Sequence, residues 1–169
     1  MKKILPIFTL IIAATFSAAA QAPASVDPLL DHMTGNWVLQ GVIAGSQTTH
    51  DIESDWVLNH EYIRLHEISR EKNTQGQPAY EAIVFIGWDK SSGDYTCLWL
   101  DSTEGGGINA QAIAHGTRSG DQIAFLFNFN GIFHTTFVYN KSADTWQWIM
   151  DNDDKGKLLP FARVKLTRK

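Results

Sequence analysis

The most constraining feature of this sequence is an apolar pattern that repeats every second residue along about ten short runs. In the run "DQIAFLFNF", apolar side chains alternate at Ile123, Phe125, Phe127 and Phe129. Successive side chains of a β-strand point to opposite faces, so this period gives each strand one apolar face. A helix would need a period of 3.6 residues. The pattern therefore predicts half-buried antiparallel strands.

Polar, glycine-containing segments such as "DKSSGD" and "TRSGD" separate these runs, and their composition is typical of tight reversals. The predicted strands cover residues 36–43, 50–58, 61–70, 79–88, 94–101, 108–116, 121–129, 132–140, 145–151 and 160–168. One short N-terminal helix is predicted in "VDPLLDHM", because Pro28 suits the first turn of a helix.

Consecutive antiparallel strands with short links predict an all-β fold, an up-and-down antiparallel β-barrel of about ten strands. Closure of the barrel removes unpaired strand edges, and this number of strands leaves room for one small ligand. A β-sandwich with a packed interior remains the alternative. The pattern contains no linker or repeat, so we expect a single domain over residues 29–169.

The N-terminus has the features of a secretory signal peptide over residues 1–20. Lys2 and Lys3 precede an apolar run, and Ala18 and Ala20 fit the small-residue cleavage rule. Residues 21–28 then form a loose leader. A membrane anchor is the alternative, but the apolar run is shorter than the roughly 20 residues that a span needs. The short basic start is typical of bacterial export, so we expect a periplasmic or secreted protein.

The charge of the chain limits its partners. The formal net charge is −4, and removal of Lys2 and Lys3 with the signal makes the mature chain about −6. Nucleic acids and anionic membranes are bound by basic surfaces. We therefore expect no nucleic-acid partner and, after signal cleavage, no membrane span.

Several short motifs occur in a fixed order along the mature chain. They are Gly35-x-Trp37, Gly87–Asp89 ("GWD"), Gly93–Tyr95 ("GDY"), Trp99–Ser102 ("WLDS") and Val164–Lys169 ("VKLTRK"). The set resembles a bacterial family of lipocalin-like, calycin-type domains of unknown function, and more distantly the fatty-acid-binding and nitrobindin-like barrels. The resemblance implies a lipocalin-like barrel and implies no substrate.

The run "HEYIRLHE" places Tyr62, Arg64 and His66 on one face of a strand, opposite Ile63 and Leu65. Two interpretations remain open. Ile63 and Leu65 favour the interior, which would leave the polar residues outside. In the other interpretation, the polar residues form a patch inside the cavity, where Arg64 would bind a carboxylate.

The aromatic residues supply most of the predicted ligand-binding surface. Some of them should border a cavity, because a ten-stranded barrel is too wide to fill completely. His134, in the apolar segment "GIFHTTF", is predicted to lie at the core or rim. The remaining predicted ligand-binding residues are Phe125, Phe127, Phe129 and Trp148.

No metal, cofactor or catalytic site is predicted. His60 and His66 lie on one face of a strand but about 20 Å apart, too far to share an ion. Asp151–Gly156 lacks the ligand pattern of a calcium loop. Cys97 has no basic neighbour in sequence and is expected to be a buried, inert thiol.

Gly35, Trp37 and Arg168 are predicted to have structural roles. In a closed barrel of even strand number, the start of the first strand lies beside the end of the last. The alternation then brings the Arg168 guanidinium onto the Trp37 ring, and both are expected to point inward. Gly35 is expected to let the chain pass close beneath the indole.

These expectations favour a protein that binds a small apolar or aromatic molecule in its barrel and is not an enzyme. Two alternatives remain open. One is a barrel enzyme, an isomerase or hydrolase, that uses His134 or His66 for acid–base catalysis. The other is a structural or partner-binding module with a filled core.

Overall fold

A computed structural model describes residues 27–103, 108–128 and 131–169, so the predicted signal peptide and residues 21–26 of the leader lie outside the described residues. The elements are α1 (Pro28–Asp31), β1 (Gly35–Ile43), β2 (Ser46–Val57), β3 (Tyr62–Ser69), β4 (Glu81–Asp89), β5 (Asp94–Asp101), a 3₁₀ turn (Ala110–Ala112), β6 (Ile113–Ser119), β7 (Gln122–Asn128), β8 (Ile132–Asn140), β9 (Thr145–Asp154) and β10 (Lys157–Arg168).

The ten strands form one closed antiparallel barrel. Each strand pairs with the next along the chain, and β10 returns to pair with β1. In that closing pair, Trp37 lies opposite Arg168 and Leu39 lies opposite Leu166. The predicted up-and-down barrel is therefore confirmed, and the sandwich alternative is wrong.

Two strands begin earlier than predicted because the turns before them are shorter. β2 starts at Ser46 and follows a two-residue turn, in which Ala44 has φ 49° and Gly45 has φ 81°. β10 starts at Lys157 after a similar turn. Two consecutive positive φ values match the right-handed twist of a hairpin, so the residues directly after each turn already belong to the strand. The predicted start of β6 is also wrong, because residues 110–112 form the 3₁₀ turn.

One end of the barrel is closed by α1 and the residues around it. Leu29, Leu30 and Met33 are buried in the core. Two indole N–H groups inside the barrel bond to backbone oxygens of this segment: Trp37 donates to Met33 at 2.8 Å and Trp146 donates to His32 at 3.2 Å. These bonds satisfy indole donors that would otherwise be buried without partners.

The expected contact between Arg168 and Trp37 is present at this closed end. The Arg168 Cζ atom lies 3.8 Å from the centroid of the Trp37 ring. Trp37 points inward, whereas Arg168 is partly exposed and also bonds Asp144 at 2.9 Å. Gly35 has φ 112°, and a Cβ there would lie 2.6 Å from Arg168 Nη1. Glycine is thus required by its positive φ, which other residues rarely adopt, and not because the chain passes beneath the indole.

No helix among residues 27–103, 108–128 and 131–169 combines the length and apolarity needed to cross a membrane.

Candidate functional site

The end of the barrel opposite α1 contains a cavity of about 1170 Å³. It lies where β1 and β3 end and where β2 and β4 begin, so inward-facing side chains from both chain directions line it. The barrel is wider than its core side chains can fill at this end. Below the cavity, the interior is packed by buried residues such as Ile63, Phe125 and Phe137.

One wall of the cavity is aromatic. Trp99 on β5 makes edge-on contacts with Phe127 and Trp148, with ring centroids 6.4 and 6.2 Å apart. Phe133 and Phe161 form a second edge-on pair at 5.3 Å nearer the mouth. Such edge-on contacts fix the orientation of the rings, so this wall is formed before any ligand enters.

The polar wall is built from Thr48 and His50 on β2, Glu67 on β3, and Glu71 just beyond that strand. Glu67 shares the inward face of β3 with Ile63 and Leu65 and is only 2 % exposed. Its Oε1 atom makes a very short contact with His50 Nδ1. His50 Nε2 lies 2.7 Å from the Thr48 hydroxyl, which lies 2.9 Å from Glu71 Oε2. Four polar side chains thus form one connected chain from the interior to the rim.

The proton positions along this chain follow from its donors and acceptors. Burial opposes ionisation of Glu71, but hydrogen bonds from its own backbone, Thr48 and Thr49 hold its pKa below the ordinary value. Glu71 is therefore a carboxylate at neutral pH, and the single Thr48 hydroxyl proton points to it. His50 Nε2 must then carry a proton and donate to Thr48. A single proton then lies between His50 Nδ1 and Glu67 Oε1.

Tyr80 connects the polar wall to the aromatic wall. Its ring stacks on His50 with centroids 5.5 Å apart, and its hydroxyl oxygen accepts from Trp99 Nε1 at 2.9 Å. Burial, followed by the nearby carboxylates of Glu67 and Asp101, raises the pKa of Tyr80. Tyr80 is consequently a neutral phenol throughout the physiological range.

Three buried polar atoms of the cavity lining have no hydrogen-bond partner among the described residues. They are Glu67 Oε2, Thr135 Oγ1 and Trp148 Nε1. Thr135 lies on β8, five strands from β3 around the ten-stranded barrel, so it faces Glu67 across the interior. Unpartnered buried polar groups are costly, so in native proteins each of them calls for a partner such as an ordered water, an ion or a bound molecule.

The charge of the cavity is acidic. No lysine or arginine occurs among the described residues that line it. The titratable residues of the lining are His50, Glu67, Glu71, Tyr80, Asp101 and Asp153.

Of the two interpretations of β3, the one that places Tyr62, Arg64 and His66 in the interior is wrong, and the one that places them outside is correct. Ile63 and Leu65 are buried on the inward face of β3, so the alternation places the three polar residues outside. There Arg64 bonds Asp55 at 3.0 Å, and His66 lies 2.7 Å from Glu81. The interior therefore has no arginine on β3 for binding a carboxylate.

The other predicted ligand-binding residues divide between cavity, core and outer face. Phe127 and Trp148 line the cavity. Phe125 does not, because it packs below it on Phe137, with ring centroids 5.8 Å apart. The odd-numbered residues of β8 point inward, so His134 lies on the outer face of that strand. Its Nε2 atom is 3.5 Å from Asp153. Phe129 lies outside the described residues.

His50 and Glu67 were not predicted, although the sequence contains a signal for each. The two-residue period of β3 places Glu67 on the same face as Ile63 and Leu65, and His50 on the same face as Ile52. A charged residue on an otherwise apolar face is rarely buried without a partner. The complementary residue on the neighbouring strand could have been sought on that basis.

The described residues contain no group of three or more His, Cys, Asp or Glu side chains placed to hold a metal ion. Comparison of the chain with protein-family models and with curated proteins finds no match.

Proposed function

We propose that this protein binds a small molecule with an apolar or aromatic body inside the open end of its barrel. The observation that carries this proposal is the cavity of about 1170 Å³ with its wall of aromatic rings. Ligand sites are typically concave, largely apolar and formed in advance, with a few polar groups that set orientation. The contacts of Trp99 with Phe127, Trp148 and Tyr80 supply that pre-formed apolar surface.

The proposal is tested by the binding of N-phenyl-1-naphthylamine, a neutral dye whose emission rises in apolar surroundings. We expect a saturable increase in emission with a dissociation constant in the range of about 1–10 μM. Phe127→Asp should abolish it, because a carboxylate would then occupy the aromatic wall. The matched control is Leu126→Asp, one residue away on the outer face and already half exposed.

A folded Phe127→Asp variant that binds the dye as tightly as the wild type would contradict the proposal. Phe133→Asp provides a second test nearer the mouth, where the side chain is only partly buried. Far-UV circular dichroism checks that each variant keeps its strand content.

A second function, acid–base catalysis in the same cavity, is favoured by the contact between His50 and Glu67. A histidine that a carboxylate orients and that carries a proton on Nε2 can act as a general acid toward a bound substrate. This role falls to His50, not to His134 or His66. A panel of p-nitrophenyl esters should then be hydrolysed faster than in buffer, and His50→Gln should remove the excess rate. Equal rates with and without protein would contradict hydrolysis of these esters.

We further propose that the protein is exported and is lipocalin-like. The signal-peptide pattern of residues 1–20 and the ordered motifs from Gly35 to Lys169 support these proposals. Expression of the full chain in a bacterial host should give a periplasmic product whose intact mass corresponds to a start at Gln21. An uncleaved cytoplasmic product would contradict the export proposal.

A further inference from the structure

Resting on the proposed binding function, we infer that the ligand carries a positively charged nitrogen whose N–H group donates to Glu67 Oε2. The ligand class is thus an amine with an apolar or aromatic body. The inference depends on one unpartnered oxygen, on the charge of the cavity and on the rings around it.

The first argument is the hydrogen-bonding state of Glu67. This side chain is 2 % exposed, and its Oε2 atom has no partner among the described residues. If the proton shared with His50 lies on the histidine, Oε2 is a carboxylate oxygen. If that proton lies on Glu67 Oε1, Oε2 is a carbonyl oxygen. In both cases Oε2 is an acceptor, so the group that satisfies it must be a donor.

The second argument is electrostatic. Glu71, Asp101 and Asp153 add carboxylates to the lining, and no lysine or arginine balances them among the described lining residues. An ammonium ion would be attracted into this cavity, whereas a carboxylate ligand would meet like charges and would find no lysine or arginine among the described lining residues.

The third argument is the aromatic surroundings of Glu67. Tyr80 stacks on the histidine that Glu67 contacts, and Trp99 bonds the Tyr80 hydroxyl. Cations are attracted to the faces of tryptophan and tyrosine rings, most strongly where water is excluded. An amine bonded to Glu67 would lie close to these rings, and its apolar body could contact Phe127 and Trp148.

The test uses three probes with the same apolar body and different head groups: 4-phenylbutylamine, 4-phenylbutanol and 4-phenylbutyrate. Each competes with N-phenyl-1-naphthylamine for the full mature protein at pH 7. We expect the amine to bind at least about tenfold more tightly than the alcohol, because charge-assisted hydrogen bonds exceed neutral ones. We expect the carboxylate to bind weakest.

Glu67→Gln separates the role of this side chain from the general charge of the cavity. The amide keeps the shape and can still bond His50, but it removes the carboxylate. The ratio of amine to alcohol affinity should fall to within about twofold, with alcohol affinity nearly unchanged. Glu53→Gln is the matched control, because Glu53 is exposed on the outer face of neighbouring β2.

The outcomes separate the two proposals. If the dye binds but the carboxylate competes as well as the amine, or none of the probes competes, the amine inference is overturned and the binding function stands. If a folded Glu67→Gln variant keeps the wild-type ratio, the assignment to Glu67 is overturned. If the dye itself does not bind, the proposed function fails first. The wild-type probe series decides the head-group preference even if Glu67→Gln does not fold.

Discussion

The contact between Trp37 and Arg168 predicts a measurable coupling energy in a double-mutant cycle. Trp37 is 1 % exposed and donates to the Met33 carbonyl at 2.8 Å, so Trp37→Ala should cost about 3–5 kcal/mol through the cavity it leaves. Arg168 lies over the ring at 3.8 Å at a partly exposed position, where such a contact contributes about 0.5–1 kcal/mol.

Arg168→Ala should also lower the free energy of unfolding through contacts of Arg168 that do not involve the Trp37 ring. Arg168 bonds Asp144 at 2.9 Å, and this pair is half exposed and contributes no more than about 1 kcal/mol. It also donates to the carbonyl oxygens of Thr34 and His32. We therefore expect about 1–2 kcal/mol for Arg168→Ala in the wild type, and about 0.5–1 kcal/mol less once Trp37 is alanine.

Urea unfolding followed by far-UV circular dichroism measures all four free energies of unfolding without depending on tryptophan fluorescence. The dependence of the unfolding free energy on urea concentration should have the same slope for all four proteins, since a changed slope would signal a change in the unfolded state. A coupling energy of zero within error would refute the stacking argument. An Arg168→Ala cost above that of Trp37→Ala would refute the view that the indole fills the closed end.

Three further predictions concern the backbone, the surface charges and the thiol. Gly41→Ala should lower the free energy of unfolding, measured in urea, by more than about 2 kcal/mol, because the new Cβ would lie 2.2 Å from a backbone oxygen of β10. Gly45→Ala is the comparison: its Cβ would contact nothing within 4 Å, so it should cost only about 1 kcal/mol. A hydrogen bond from Arg70 lowers the pKa of Asp51 in the folded protein. The stability that ionised Asp51 contributes is therefore complete above about pH 4 and is lost as the pH falls through the lowered pKa. Asp51→Asn should flatten that part of the acid-unfolding profile. Burial raises the pKa of Cys97, so the thiol should not react with Ellman's reagent until the protein is unfolded in guanidinium; fast reaction of the native protein would contradict its placement.

The strands could be predicted because their apolar residues alternate over whole segments. The same alternation places Phe127 and Trp148 on the inward face. For β3 the sequence left both orientations open, because Glu67 shares a face with Ile63 and Leu65. The errors at the starts of β2 and β10 have a common cause. The residues directly after each turn were left outside the strands, whereas only two residues with positive φ are needed for each reversal.

The polar wall could be predicted only in part, because it depends on pairing between strands. Glu67 is buried next to His50, which is 17 positions earlier in the chain, and the register of β2 with β3 brings the two together. The cavity itself reflects the width of a ten-stranded barrel and the absence of filling side chains at one end. No pattern among neighbouring residues of the sequence predicts a cavity of that size.

The most direct test of the proposed binding site is a crystal structure of the mature protein with 4-phenylbutylamine. We expect the phenyl ring against Trp99 and Phe127 and the nitrogen within about 2.7–3.2 Å of Glu67 Oε2. Density for the amine only on the outer surface would contradict the amine inference, and a cavity closed by rearranged side chains would contradict a ligand-binding barrel.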